Sequence, residues 1–284
     1  MVDYAAMAQA LVALGSNLGD RVKQLNAALI ELARLPSSRL IRRSGWFETP
    51  PIGGPDGQGA FLNGAALLWT AITPRQLLTA LQQIEEHLGR VRGERWGARV
   101  IDLDLLLFDQ QAIDEAATAD GPEINVPHPR MEFRRFVLEP AAAVAPWMIH
   151  PTSGWTVQAL CEQLAYGSNL VAVAAADPNA TASWVERLRE RFADGPSIVA
   201  WDDRQTDANR ARSQRPRLIL AFPNDDEANL PAFHAGARSR RMPNLPTGPV
   251  AWIPSTGVAE QLVEAAAAIQ AVWPERASAA SPSD

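Results

Sequence analysis

The stretch Gly89-Arg-Val-Arg-Gly-Glu-Arg-Trp-Gly-Ala-Arg-Val-Ile-Asp-Leu-Asp-Leu-Leu-Leu-Phe108 carries two different signals in twenty residues. In its second half Ile101, Leu103 and Leu105 alternate with Asp102 and Asp104, the period of a β-strand with one apolar face. Its first half is polar, with Arg90, Arg92, Arg95 and Arg99 spaced by Gly89, Gly93 and Gly97, the composition of a loop that can move. Upstream, Thr73-Pro74 opens a helix to about Leu88, with Thr73 as N-cap and Pro74 in the first helical position. Phe61 to Ala71 reads as a strand, residues 48–60 as a long Gly- and Pro-rich loop, and residues 39–47 as another strand. From Arg21 to Leu35 the apolar Val22, Leu25, Leu29 and Leu32 recur at helical steps, and Pro36 stops the run. Ala10 to Leu14 is a first strand that turns at Gly15-Ser-Asn-Leu-Gly-Asp20. The order β-α-β-β-α-β predicts an α+β, ferredoxin-like sandwich.

Outward from this unit the pattern begins again. A helix and loop region carries the first domain to about residue 166. Leu170 to Ala176, Ile198 to Trp201, Arg217 to Phe222 and Val250 to Ile253 then read as strands, with helices at Ala182 to Phe192 and Val258 to Trp273. Two domains are expected: 1–166, and a second, smaller α/β domain over 167–276. Residues 277–284, small and polar, are expected to be a disordered tail.

Composition narrows the function. Of 284 residues 47% are hydrophobic and 20% charged, enough apolar material for packed cores. No run of about eighteen apolar residues occurs, which excludes a transmembrane helix. The first ten residues lack the basic start of a secretory signal, so a cytoplasmic protein is expected. Cys161 is the only cysteine, which rules out an intrachain disulfide and a cysteine-built zinc site. A net charge of −6 argues against a general nucleic-acid or membrane-surface binder. Lys23 is the only lysine, so nothing after it can supply a P-loop or Schiff-base lysine.

Asp102 and Asp104, two apart on a strand, put both carboxylates on one face with α-carbons roughly 6.5–7 Å apart. That spacing suits two hard divalent ions bridging phosphate oxygens, or else a plain solvated strand face. The neighbouring arginines favour the first, because forked guanidiniums match polyphosphate oxygens. Acidic ligands beside a mobile arginine-rich loop are what nucleotide phosphate chemistry requires.

The same stretch resembles the signature of the 6-hydroxymethyl-7,8-dihydropterin pyrophosphokinase family of the folate pathway. The likeness runs from Leu11 to about Leu164 and takes in Ala13-Leu-Gly-Ser-Asn-Leu18, Glu48-Thr-Pro-Pro51, Phe61-Leu-Asn63, Val126-Pro-His128, Arg134 and Phe136. It implies an enzyme that moves the β,γ-diphosphoryl group of ATP to the pterin hydroxymethyl group and releases AMP. By this resemblance Asp102 and Asp104 hold two Mg²⁺ ions, and Arg90 and Arg92 act with them in catalysis. Glu85, Arg95, Trp96, Arg99, His128 and Arg134 fall on the ATP side. Phe61 and Phe136 stack on the pterin, while Asn63 and the Thr49, Pro50, Pro51 and Ile52 loop read its edge. Pro129 stands where the family often has an aromatic residue, and the Arg95 loop is slightly shortened.

The second domain has only a weak likeness, to a P-loop deoxynucleoside kinase, in its strand-turn-helix start and in Gly248 to Pro254. Ala175, Ala180 and Thr181 occupy the places of the Gly, Gly and Lys that a working phosphate loop needs, so it is expected to be a degenerate, inactive version. A scaffold, a homodimer contact or a site for an unknown ligand are the roles left open. Asp202-Asp203 and the cluster Arg238, Arg240 and Arg241 could form a remnant site, with surface charge as the plainer reading.

Overall fold

The computed structural model describes residues 7–55, 57–91, 97–118, 121–175, 177–201, 212–223, 248–254 and 256–274. Arg92, Arg95, Trp96, Asp202, Asp203, Arg238, Arg240, Arg241 and the tail 277–284 lie outside them. The architecture is mixed α/β and divides into two compact units. One comprises Met1–Met131 with Phe136–Gln158; the other comprises Glu132–Arg135 with Ala159–Asp284.

In the first unit, β1 (Ala8–Ser16), α1 (Arg21–Ala33), β2 (Ser38–Arg43), β3 (Phe47–Thr49), β4 (Phe61–Thr70), α2 (Pro74–His87) and β5 (Asp102–Phe108) follow in order. Their strands pair antiparallel in the order β2-β4-β1-β5, and β3 also pairs with β4. A separate ribbon joins β6 (Ile113–Glu115) to β7 (Ile124–Val126), α3 (Arg135–Val144) follows, and most of α4 (Val157–Tyr166) falls in the second unit.

Local chemistry accounts for the helix ends. Asp20 caps α1 by accepting the Lys23 N–H at 3.0 Å. Thr73 and Gln76 form a reciprocal capping box on α2, with Pro74 in its first turn. Such caps typically contribute about 1 kcal/mol each. Gly89 ends α2 at φ +87°, a left-handed conformation open to glycine without a Cβ penalty. Both helices lay an apolar stripe on one sheet face. Leu25, Leu29 and Leu32 of α1 and Leu77, Leu81 and Ile84 of α2 pack with Val12, Leu14, Ala66, Leu68, Leu103 and Leu105. Leu11 and Leu67, on the opposite face, are also buried.

The strand expected over 39–47 is interrupted. β2 stops at Arg43, Ser44 to Trp46 leave the ladder, and pairing with β4 resumes at Phe47, so the long loop begins only at Pro50. Ser44 compensates for the break by accepting the Ala65 N–H on its Oγ at 2.9 Å. The excursion delivers Trp46 to the apolar core over Gly64.

The second unit contains β8 (Ser168–Ala175), α5 (Pro178–Arg191), β9 (Ser197–Ala200), β10 (Pro216–Phe222), β11 (Val250–Trp252) and α6 (Val258–Val272). Its sheet is parallel, in the order β11-β10-β8-β9. Helix α5 starts four residues earlier than its apolar periodicity suggests, because Asp177 is an N-cap and Pro178 fits its first turn. The Asp177 carboxylate accepts the N–H groups of Asn179 and Ala180 at 2.8 and 2.9 Å. No helix among the described residues is long and apolar enough to cross a membrane.

A Cβ at Gly64 would meet Cζ3 and Cε3 of the Trp46 ring inside van der Waals distance. Gly64→Ala is therefore expected to lower unfolding free energy by about 1–3 kcal/mol. Equilibrium urea denaturation checks this, and an unchanged midpoint would contradict the packing described.

Candidate active site

Strand β1 is the middle of the site. Antiparallel pairing sets Gly15 opposite Asn63 of β4 on one side and opposite Asp102 of β5 on the other. One step along, Ala13 stands opposite Ala65 and Asp104. Alternation keeps these residues on the face away from α1 and α2, because Leu14, Leu62 and Leu103 take the core face. Two carboxylates and a carboxamide thus border a floor of glycine and alanine.

On the β4 side, Asn63 is buried and donates from Nδ2 to Thr49 Oγ1 at 2.8 Å. Thr49 faces Phe61 in the β3–β4 pairing, and Phe61 Cδ1 borders the space above Gly15. The loop that carries Pro50, Pro51 and Ile52 is held at its base. Arg21 reaches Glu48 Oε2 at 2.8 Å and donates to the Ala60 carbonyl at 2.7 Å. Gln58 Nε2 donates back to the Gly53 and Pro55 carbonyls at 3.4 and 3.3 Å.

On the β5 side, acids and arginines alternate through space. Glu85, near the end of α2, pairs with Arg90, and Arg90 Nη1 reaches Asp102 Oδ1 at 2.7 Å. Arg99 Nη1 holds Asp102 Oδ2 at 2.5 Å. Glu85 also accepts the N–H of Leu103, the residue between the two aspartates, at 2.6 Å. Burial pushes the Glu85 carboxyl up to about 7, against the pull of the Leu103 N–H and Arg90. Asp102 is also raised, first by burial and then by the Asp104 charge, while Arg99 and Arg90 oppose the shift. Among the described residues, the carboxyl groups of Glu85, Asp102 and Asp104 gather here with the guanidiniums of Arg90 and Arg99.

His128 closes the other flank. Its backbone N–H donates to the Leu106 carbonyl at 2.8 Å, and its Nδ1 accepts the Arg130 N–H at 3.1 Å. That leaves Nε2 as the nitrogen toward Asp104 Oδ2, 3.8 Å away. Phe136 is half-buried on the first turn of α3, and Arg134 falls in the short stretch grouped with the second unit.

Sequence reasoning assigned no role to Asn17, Arg21 or Gln58. Asn17 joins the two sides of the site. Its Oδ1 accepts the Arg99 N–H at 2.7 Å, its own N–H donates to the Arg99 carbonyl at 3.1 Å, and its Nδ2 donates to Gln58 Oε1 and the Gly59 carbonyl. The signal in the sequence is a polar Asn directly after a buried strand end, inside the Ala13–Leu18 motif.

Removing Glu85 strands a buried N–H, so Glu85→Ala is expected to cost about 1–3 kcal/mol and Glu85→Gln less. A folded-state value near 7 against an unfolded 4.5 means that the folded protein binds more protons in between. The stability due to Glu85 is therefore full below about 4.5 and is lost as pH rises through about 7. Denaturation curves at several pH values should flatten over that window in Glu85→Gln; an unaltered profile would remove the assignment.

Known relatives cover the stretch of chain that carries this site. Residues 11–146 match the family model described as 7,8-dihydro-6-hydroxymethylpterin-pyrophosphokinase. A 2-amino-4-hydroxy-6-hydroxymethyldihydropteridine pyrophosphokinase of Pseudomonas aeruginosa is 47% identical over 135 residues, 48% of this chain and 79% of that protein. A Synechocystis protein of the same name is 37% identical over 155 residues, 55% of this chain and 75% of its own length. Among solved structures, an HPPK-DHPS in complex with substrates aligns with a TM-score of 0.43 and 13% identity, over 68% of this chain and 57% of that one. With nearly half of the aligned residues shared with the Pseudomonas enzyme, the chain belongs to the 7,8-dihydro-6-hydroxymethylpterin-pyrophosphokinase family.

Proposed function

We propose that the first unit is an ATP-dependent diphosphokinase that acts on 6-hydroxymethyl-7,8-dihydropterin in folate synthesis. The hydroxymethyl oxygen attacks the β-phosphorus of ATP, the bond from that phosphorus to the AMP oxygen breaks, and AMP leaves as the hydroxyl proton is lost. The observation that carries this reading is the single row Asn63–Gly15–Asp102. It sets a carboxamide that can read a heterocycle edge directly across from a carboxylate suited to phosphate chemistry. The βαββαβ order with β2-β4-β1-β5 pairing supports a ferredoxin-like description of this unit.

Asp102 and Asp104 are the residues to hold Mg²⁺, two ions in this reading. Their donor chemistry fits: hard carboxylate oxygens two residues apart on one strand face. Mg²⁺ commonly takes one or two carboxylates and completes its shell with water and phosphate oxygens. A metal held by these carboxylates would supply positive charge opposite the triphosphate oxygens. Arg90 and Arg99 neutralise Asp102 in this structure and are equally matched to phosphate oxygens, so an incoming triphosphate exchanges one set of charges for another. Arg90 and Arg92 serve catalysis, and Glu85, Arg95, Trp96, Arg99, His128 and Arg134 the ATP side. Thr49, Pro50, Pro51, Ile52, Phe61, Asn63 and Phe136 form the pterin side. No covalent enzyme intermediate is needed; positioning and charge carry the rate.

The pterin chemistry is assigned to residues 1–166. The second domain, 167–276, is read as a non-catalytic scaffold. The N–H groups at the start of α5 that a phosphate would take are already taken by the Asp177 carboxylate. A homodimer through this domain would give it a use.

Asp104 is half-exposed, so Asp104→Ala should fold normally. Pterin-dependent AMP release is expected to fall by at least about a hundredfold. EDTA should abolish AMP release by the unaltered chain and excess Mg²⁺ restore it. AMP formation that is independent of the pterin, or indifferent to EDTA, would overturn the reading.

A further inference from the structure

The loop between β3 and β4, residues 50–60, has a weak footing of its own. It grows from a strand only three residues long, Phe47–Thr49, and its closing pair is Thr49 opposite Phe61. Gly53, Gly54 and Gly57 hold φ between +68° and +81°, and a loop so rich in glycine has more freedom to lose when it is ordered. Gln58 draws the Gly53 and Pro55 carbonyls together inside the loop, but those bonds do not fix the distance between its two arms. Asn17 bonds to Gln58 and Gly59, both on the exit arm. The Arg21 guanidinium takes one contact from each arm. Its Nη2 meets Glu48 Oε2 at 2.8 Å on the way in, and its Nη1 donates to the Ala60 carbonyl at 2.7 Å on the way out. Arg21 is itself held as the first residue of α1, whose N-cap is Asp20.

Glu48 and Ala60 are the chain neighbours of Thr49 and Phe61, which close the loop and belong to its pterin side. We infer that Arg21 is a positioning residue for the pterin. Its fork sets the spacing of the two loop arms, and so of Thr49 and Phe61, and acts through them rather than by contact with the substrate. Two observations favour this over a plain surface ion pair. Glu48 is 61% exposed, and ion pairs so exposed contribute little to stability. The same guanidinium also donates to a backbone carbonyl 39 positions along the chain, so it holds the exit arm even where salt screens the carboxylate. A planar arginine with donors in fixed directions can serve both partners at once, whereas lysine offers a single point charge on a flexible stem. With the arms spaced in advance, less of the loop has to be ordered on binding, and the cost avoided is expressed as affinity. The inference rests on the function proposed above and adds the residue that shapes its pterin side.

The test compares the full chain with Arg21→Ala and Arg21→Lys. Pterin-dependent AMP release gives kcat and a KM for each substrate, and thermal melting reports the fold. In Arg21→Ala the pterin KM is expected to rise about five- to tenfold, while kcat and the MgATP KM stay within about twofold, the pattern of binding lost equally from ground and transition states. Its melting temperature should stay within about 2 °C of the unaltered chain, because the ion pair removed is an exposed one. Arg21→Lys keeps the charge and loses the fork, so its pterin KM should still rise at least about threefold. A structural role would instead lower the melting temperature and raise both KM values together. An unchanged pterin KM in Arg21→Ala, an equal rise of both KM values, a loss of the fold, or full rescue by lysine would each overturn the inference. Activity of the unaltered chain separates the two readings. If it releases AMP on addition of the pterin while Arg21→Ala keeps the same pterin KM, only the role of Arg21 fails. If the unaltered chain releases none, both fail.

Discussion

Strand β1 is hydrogen-bonded along both edges, to β4 on one side and β5 on the other, and the site exists because of that double pairing. In an antiparallel ladder, facing residues project on the same side of the sheet. Fixing the register of β1 against each neighbour therefore fixes Asn63 and Asp102 relative to one another, although 39 positions separate them in the chain. A slip of one residue in either pairing would turn one of them into the core. The apolar set on the helix-facing side opposes such a slip. Val12, Leu14, Leu103 and Leu105 would all lose their places under α1 and α2, and each buried side chain of that size contributes about 1.5–3 kcal/mol. The hydrophobic core thus specifies the polar face by exclusion.

A chain of alternating charge is the second organising feature. Glu85, Arg90, Asp102 and Arg99 follow one another in space, with Asp104 and His128 alongside. Concentrating carboxylates on a partly buried strand opposes their ionisation, and the raised Glu85 and Asp102 values express that cost. The arginines offset it from both ends of the glycine-rich loop: Arg90 sits just beyond the end of α2, and Arg99 just before β5. Asn17 anchors Arg99 to the end of β1 through two hydrogen bonds. Asn17 also reaches Gln58 and Gly59, which links the Arg99 side of the site to the loop carrying Pro50 to Ile52.

The second unit follows different rules. Its sheet is parallel, and the start of α5 is satisfied by its own residues. Asp177 caps α5, and Thr181 donates to the Asp177 carbonyl while accepting the Ala175 N–H. A carboxylate at a helix start draws on the same partial positive charge that a phosphate would use. The turn therefore supports the helix and leaves an anion little to gain.

Short-range periodicity and cap chemistry make the elements of the first unit readable from local residues, whereas α5 begins at its Asp177 cap, four residues ahead of its apolar periodicity. The alternation in Ile101 to Phe108, the capping pair at Thr73 and Gln76 and the helical steps from Val22 to Leu32 each express a local energy, and each element forms where those residues place it. The aspartate pair and the arginine loop were legible for the same reason, since their chemistry is contained in one stretch. Tertiary structure decided the rest. The break at Ser44 to Trp46 follows from the need to bring an indole over Gly64, a residue some twenty positions away. The burial of Glu85 against the Leu103 N–H and the bridging role of Asn17 arise only when the strands and α2 lie side by side. Desolvation and distant hydrogen bonds depend on neighbours far along the chain, and no local pattern of residue types encodes them.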